Sequence, residues 1–374
     1  MRRVPRAKRP SPRCAHASRA ALAKVADAMP RARAAGHRTA CGLPPRGEGR
    51  VRALARNAPR RDDARVRIRE LASGLQFPEG PVALEDGSVL LVEIARGTLT
   101  RVAPDGRVHV VADLGGGPNG AAIGPDGAVY VCNNGGFRWT REPDGCLRPV
   151  AQADDYSGGR IERVDLATGR FERLYDVVDA QALRGPNDIV FDAAGGFYFT
   201  DLGKVREREI DRGGVYYGRP DGSGAHVIAR PVMTPNGIAL SPDGATLYYA
   251  ETEGARVWAF DVEAPGVVRK EGWPSPHGGR MVVAAPGGHY QRFDSMAVDA
   301  LGNVCVATLI KGGISVVAPD GSLATHVPLP DRYTTNLCFG GPGRRTAYVT
   351  LSGTGRLVAI DDWPIPGLKL NFEA

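Results

Sequence analysis

From about residue 66 onward, apolar and polar residues alternate in short runs, and each run is stopped by a turn containing glycine. Alternation with a period of two puts successive side chains on opposite faces of a strand, whereas an amphipathic helix needs spacings of three and four. No segment sustains the helical spacing over a long stretch, so the pattern predicts an all-β chain. The tripeptide Pro-Asp-Gly occurs six times, starting at Pro104, Pro125, Pro143, Pro220, Pro242 and Pro319. Proline sets φ for the first turn position and glycine accepts positive φ, so each copy predicts a hairpin or strand-connecting turn.

The strand pattern repeats. "FPEGPVALEDGSVLLVE" (from 77), "GPNGAAIGPDGAVYV" (117), "GPNDIVFDAAGGFYFT" (185), "TPNGIALSPDGATLYY" (234), "FDSMAVDALGNVCVA" (293) and "TTNLCFGGPGRRTAYVT" (334) share a polar residue, an alternating strand, a turn and a second strand. The polar residues are Glu79, Asn119, Asn187, Asn236, Asp294 and Asn336, spaced by 40, 68, 49, 58 and 42 positions. That is the period of a four-stranded propeller blade with loops of variable length. The prediction is a six-bladed β-propeller with four-stranded antiparallel blades and a central metal site. "VRIRELASGLQ" (66 to 76) precedes the first unit and is expected to complete the last blade, which leaves few open sheet edges.

Radial repetition turns equivalent positions toward one another. The six polar residues are therefore expected at one mouth of the central shaft. Capping of a tight turn accounts equally well for Asn119 and Asn336 taken alone. It accounts poorly for Glu79 and Asp294, because two carboxylates facing a narrow shaft repel and lose hydration. A cation removes both costs. The candidate donors are all oxygen, with no His or Cys at matching positions, which favours a hard ion. The mixed-charge cage favours Ca²⁺ over Mg²⁺, with Zn²⁺, Mg²⁺ or Mn²⁺ as substitutes in vitro.

Charge and composition limit the partners. Residues 1–65 carry 18 Lys and Arg against four acids, leaving 30 basic and 37 acidic residues for the rest of the 374-residue chain. The main domain is thus net acidic and repels phosphates, so no nucleic-acid partner is expected. No apolar run is long enough to span a bilayer, so a soluble, cytoplasmic protein is expected. The Arg-, Ala- and Pro-rich leader, residues 1–65, cannot bury a core and reads as disordered. A mis-assigned upstream start explains its composition, with the true start at Met29, Val51 or Val66; an organellar transit segment is the alternative. The propeller is assigned to residues 66–374. Six cysteines lie far apart without a C-x-x-C pair, so Cys132, Cys305 and Cys338 are expected as buried free thiols in a reducing compartment.

At "FPEGPVAL", "PNDIVFDAAGGFYFTD", "TPNGIALSPDGATLYYAET", "FDSMAVDALGNVCVA" and "TNLCFGGPGRRTAYVT", the chain resembles the SMP-30/gluconolactonase family of calcium-dependent six-bladed propellers. The family includes regucalcin, bacterial gluconolactonases, the staphylococcal drug-responsive lactonase and squid diisopropylfluorophosphatase, and the resemblance covers about residues 70 to 365. It implies that Glu79, Asn187, Asn236 and Asp294 hold the metal. It also implies that Asp294 acts as general base, nucleophile or water-positioning group in hydrolysis of a sugar-type or related small lactone.

Further candidates for contact with a small-molecule lactone or ester are Asn119, Asn133, Asn187, Asp201 and His289. Asn134, beside Asn133, either touches substrate from the second blade or serves as a loop turn, the reading preferred here. Glu251 and Thr252 line the shaft or cap a strand end. The loops 133–159 and 203–214 are expected near the mouth, where Arg138, Trp139, Tyr156 and Arg206 would select the substrate or form a solvated rim. Three alternatives stand beside lactone hydrolysis: a calcium-dependent phosphotriesterase or other esterase, a metal-free propeller resembling strictosidine synthase, and a non-enzymatic ligand-binding propeller.

Overall fold

A computed structural model describes residues 67–285 and 287–373. The reading of the leader, residues 1–65, lies outside the described residues. Among the described residues, twenty-nine strands form six antiparallel sheets and two small hairpins. Strand β1 (Ile68–Ala72) comes first. Blade 1 is β2 (Pro78–Ala83), β3 (Val89–Glu93), β4 (Thr98–Val102) and β5 (Val108–Asp113). Blade 2 takes β6 (Pro118–Ile123) and β7 (Val129–Asn133), then an inserted hairpin of β8 (Phe137–Arg141) and β9 (Leu147–Gln152), then β10 (Arg160–Val164) and β11 (Phe171–Tyr175). A short hairpin, β12 (Val177–Val178) and β13 (Gln181–Ala182), leads to blade 3: β14 (Pro186–Phe191), β15 (Phe197–Asp201), β16 (Gly213–Gly218) and β17 (Ala225–Val232).

Blade 4 is β18 (Pro235–Leu240), β19 (Thr246–Glu251), β20 (Arg256–Ala264) and β21 (Val267–Arg269). A fifth strand, β22 (Arg280–Ala284), also pairs with β20. Blade 5 is β23 (Arg292–Val298), β24 (Val304–Leu309), β25 (Gly313–Val317) and β26 (Leu323–Pro328). Blade 6 is β27 (Thr334–Gly340), β28 (Thr346–Leu351) and β29 (Arg356–Ile360), with β1 as its outer strand, Ile68 opposite Ile360. The first described strand therefore closes the last blade, as the sequence predicts. Among the described residues, no helix is long and apolar enough to cross a membrane.

All six Pro-Asp-Gly segments are hairpin turns. In each, the glycine N–H donates to the carbonyl three residues back, and the glycine sits at positive φ, from 69° at Gly244 to 87° at Gly145. The aspartate carboxylate accepts the N–H two residues on, as at Asp105 with Arg107 and Asp243 with Ala245. Period-two alternation then puts an apolar face against each neighbouring blade. The core divides accordingly into clusters at the blade interfaces, such as Tyr198, Tyr217, Tyr249, Trp258 and Phe260 between blades 3 and 4. Each such aromatic, removed from water, contributes about 1.5–3 kcal/mol before entropy is counted. Cys132, Cys305 and Cys338 are buried free thiols, and Cys146 is a fourth.

The first strands of the six blades, β2, β6, β14, β18, β23 and β27, pack side by side in a closed ring around the shaft. They approach so closely that a Cβ on Gly120 would lie 2.5 Å from the Asn187 carbonyl, and one on Gly237 would lie 2.8 Å from the Asp294 carbonyl. Beyond blade 6, residues 363–373 run as a strap across the end of the shaft where these strands finish. Leu368 N–H donates to Val298 O at 3.0 Å, Asn371 Nδ2 donates to Phe191 O at 3.0 Å, and the Phe372 ring meets Phe191 edge-on.

Candidate active site

Each ring strand carries its polar residue near its beginning, and each one bulges there. The ladder register shifts between Glu79 and Val82, Pro118 and Ala121, Pro186 and Ile189, Pro235 and Ile238, Phe293 and Met296, and Thr334 and Asn336. A bulge releases a residue from ladder pairing and re-aims its side chain. Two residues just upstream also adopt positive φ without being glycine: Phe77 (56°), two before Glu79, and Thr234 (40°), two before Asn236. Non-glycine residues in that region are strained and cluster at functional sites.

All six ring residues are buried, and Asp294, the most accessible of them, is only 9% exposed. Glu79 Oε2 accepts hydrogen bonds from Gly80 N–H at 2.8 Å and from Asn336 Nδ2 at 2.7 Å. The Asn336 carbonyl in turn accepts Leu337 N–H at 2.7 Å. Asn336 therefore holds Glu79 in place from the neighbouring blade. Asn236 Nδ2 donates to Thr252 Oγ1 at 3.0 Å, which makes Thr252 the support of Asn236. Asn187 Oδ1 is buried and has no hydrogen-bond partner among the described residues. Asn119 is buried in the same ring.

Asp188 joins this group and was missing from the sequence-derived set. It is buried, its Oδ1 accepts its neighbour Ile189's N–H at 2.9 Å, and its charge acts on both Glu79 and Asp294. A signal existed. The residue after the polar ring position is Gly80, Gly120, Gly237, Ser295 or Leu337 in the other blades, and only blade 3 has a charge there.

The electrostatics follow from burial. Loss of hydration pushes the Asp294 carboxyl up to about 7, with the Asp188 charge adding to the rise. Burial does the same to Asp188, also to about 7. Glu79 is raised well above the usual carboxylate range by burial and by the facing Asp294. Three buried carboxyls with no cationic side chain among the causes of their shifts form a site whose charged state calls for a cation. Among the described residues, no group of three or more His, Cys, Asp or Glu side chains is arranged to hold a metal ion. Carboxamide oxygens must complete any cage here, and the orphaned Asn187 oxygen is suited to that.

Other candidates are placed differently. Asn133 uses its whole hydrogen-bonding capacity on the protein: Oδ1 accepts Gly117 and Gly135 N–H, and Nδ2 donates to Gly115 O and Glu162 Oε2. It is a scaffold for the loop, with nothing left for a substrate. Asp201 is likewise committed, accepting the N–H groups of Arg184, Gly185 and Gly203 at 2.7–2.9 Å. His289 lies on an exposed turn ahead of β23, outside the buried ring. Glu251 accepts from Trp258 Nε1 and Arg256 within its own blade. Tyr156 hydroxyl donates to Arg184 O, and Arg206 pairs with Asp211 and Glu209.

The 133–159 loop contains the β8–β9 hairpin, which bridges several blades at the mouth. Leu147 N–H donates to Gly353 O of blade 6 at 2.8 Å, and Asp144 pairs with Arg332 at 2.8 Å. Gln152 N–H donates to Val205 O, in the loop between β15 and β16 of blade 3, at 2.9 Å. The Trp139 ring lies 5.0 Å from Phe77, whose ring is 6.2 Å from Tyr333. At the hairpin base, Lys204 is fully buried. Its Nζ donates to Asn134 Oδ1 and to Gly136 O, both at 2.9 Å, and sits 3.9 Å from the Phe137 ring centre. Burial lowers its pKa to about 7 against the pull of Asp201 and Asp211.

Fold and ring together define a six-bladed propeller with a buried carboxylate and carboxamide centre at one mouth of its shaft. The chain belongs to the SMP-30/Gluconolactonase/LRE-like family, whose model matches residues 77–353. It is 27% identical over 330 residues to a gluconolactonase of Zymomonas mobilis, covering 80% of this chain and 83% of that one. It is 28% identical over 287 residues to the lactonase drp35 of Staphylococcus saprophyticus, covering 76% and 78%. The fold is also that of regucalcin, a calcium-binding protein of Agrobacterium tumefaciens, with a TM-score of 0.62 at 19% identity, covering 82% of this chain and 95% of that structure.

Proposed function

We propose that the protein is a divalent-metal-dependent lactonase acting on a small, sugar-type lactone, with Ca²⁺ as its ion. The observation that carries this reading is the ring itself: opposed buried carboxylates, Glu79 and Asp294, beside an Asn187 oxygen that no donor among the described residues satisfies. Similarity to a gluconolactonase and a lactonase supports the substrate class. Glu79, Asn187, Asn236 and Asp294 would hold the ion, and Asp188 would add negative charge behind them. When bound, a divalent ion supplies Lewis-acid polarisation of the lactone carbonyl.

The chain's own groups do the rest. Asn336 and Thr252 fix the orientation of Glu79 and Asn236, which keeps the donor oxygens preorganised. Asp294 orients the attacking water and takes up its proton as the ring C–O bond breaks. The proton then passes to the departing alkoxide, giving the open hydroxy acid. A divalent ion held by Asp294 would lower its pKa, so the residue's first part is to position the water.

The test is hydrolysis of a panel of sugar and aliphatic lactones by metal-stripped protein and after addition of Ca²⁺, corrected for spontaneous opening. Calcium-restored turnover supports the reading. A folded, calcium-loaded protein that opens no lactone overturns it.

A further inference from the structure

Asn133 and Asn134 are adjacent in sequence and opposite in their hydrogen bonding. Asn133 is saturated, whereas Asn134 is only half so. Asn134 Oδ1 accepts Gly136 N–H at 2.9 Å and Lys204 Nζ at 2.9 Å. Two donors converging on one atom identify it as the carbonyl oxygen and fill both its lone pairs, so the amide cannot be turned around without facing donor to donor. The NH₂ group must then point the other way. Asn134 Nδ2 is buried and has no hydrogen-bond partner among the described residues. A buried, unpaired donor is costly and needs an explanation.

Its position supplies one. Asn134 N–H donates to Gly117 O at 2.8 Å, and its amide lies against the α-carbon of Gly117, where a Cβ would be 2.5 Å from Oδ1 and 3.0 Å from Nδ2. Gly117 is two residues ahead of Asn119, so the Asn134 amide sits beside the segment of blade 2 that leads into the ring. We propose that Asn134 donates a hydrogen bond from Nδ2 to an acceptor oxygen of the substrate, a hydroxyl or ring oxygen, and that Lys204 is the positioning residue that fixes this orientation. The proposal rests on the lactonase reading and assigns the second blade's part in it. Lys204 suits the role because it lies under the hairpin base, gripped by Gly136 O and the Phe137 ring.

Asn134→Asp keeps the volume and the Lys204 contact but replaces the donor with an acceptor. It is expected to lower kcat/KM for a polyhydroxylated lactone about tenfold or more, and to weaken binding of an unreactive cyclic lactam analogue in parallel. Asn134→Ala should do the same, which covers failure of either variant to fold. Lys204→Met should show a smaller loss that vanishes in the Asn134→Asp background. A purely structural Lys204 would instead add its effect to that background. Unchanged kcat/KM and lactam affinity in folded Asn134→Asp, with an active wild type, overturn this proposal alone and leave the donor to a bound water. A wild type that neither opens lactones nor binds the lactam overturns the lactonase reading and this proposal with it.

Discussion

At its mouth the shaft is ringed by Glu79, Asn119, Asn187, Asn236, Asp294 and Asn336; at its far end the same six strands present Val82, Ile123, Phe191, Leu240, Val298 and Phe339 to a cavity of about 570 Å³ beneath the strap. One strand thus changes chemistry within a few residues. At the far end apolar side chains meet, as where Phe191 packs on Tyr130, Phe197 and Phe372. At the mouth, bulges break the ladder, carboxylates face each other, and among the described residues the Asn187 oxygen and the Asn134 amide nitrogen are left without partners. The difference shows where the protein accepts unfavourable terms, and such terms persist when a ligand relieves them. The cavity runs up to the ring, because Asp188 and Asn336 line it as well.

Substitutions at the two ends should separate. Asp294→Asn is expected to remove about a thousandfold or more of lactone turnover while leaving the thermal midpoint near that of the wild type, as calcium-saturated kinetics and calorimetry would show. Phe191→Ala, at the far end, should do the reverse. Phe191 packs against Tyr130, Phe197 and Phe372, so denaturant unfolding should register a loss of about 3–5 kcal/mol, with kcat/KM unchanged in the folded protein. Equal damage to activity and stability from either variant would erase the distinction.

Smaller effects sharpen it. Asn336→Ala removes the bond that aims Glu79 and should weaken calcium about 10- to 100-fold by titration calorimetry, although Asn336 is not among the proposed ligands. Lys204 gives a pH signature. Its folded pKa is lowered to about 7, while an unfolded lysine titrates at about 10.4. Between those values the unfolded chain binds a proton that the folded protein has shed, so this group makes stability rise with pH. The thermal midpoint of the wild type should therefore gain on that of Lys204→Met between about pH 7 and pH 10. A constant difference would count against the burial of Lys204.

The blade plan was legible because it is written in local chemistry. Pro-Asp-Gly turns, period-two alternation and a recurring polar residue located the ring, and the segment after residue 66 located the closing strand. Contacts between blades were not legible in that way. Asn133 and Asp201 looked like site residues, yet Asp201 is occupied by backbone N–H groups, and Asn133 by backbone groups and the Glu162 carboxylate, and no local pattern encodes that. Asp188 was overlooked because it follows Asn187 directly, where alternation would point it away from the shaft; the bulge in β14 changes that. The hairpin at 137–152 carried its turn signal at Pro143, but its reach to Gly353 and Arg332 is a fact of tertiary packing.

The clasp between β1 and β29 sets the order in which the ring can assemble. Arg69 and Asp361, joined across it at 3.1 Å, are 292 positions apart, whereas most strand pairs within a blade are hairpin neighbours. Hairpins close in microseconds, and a contact of such separation must wait for nearly everything between. The blades are expected to form early and singly, and the seam in blade 6 to zip last. Under tension, or at the edge of denaturation, that seam is where the circle should first come open, next to the bond from Asn336 to Glu79 that joins blade 6 to the candidate centre.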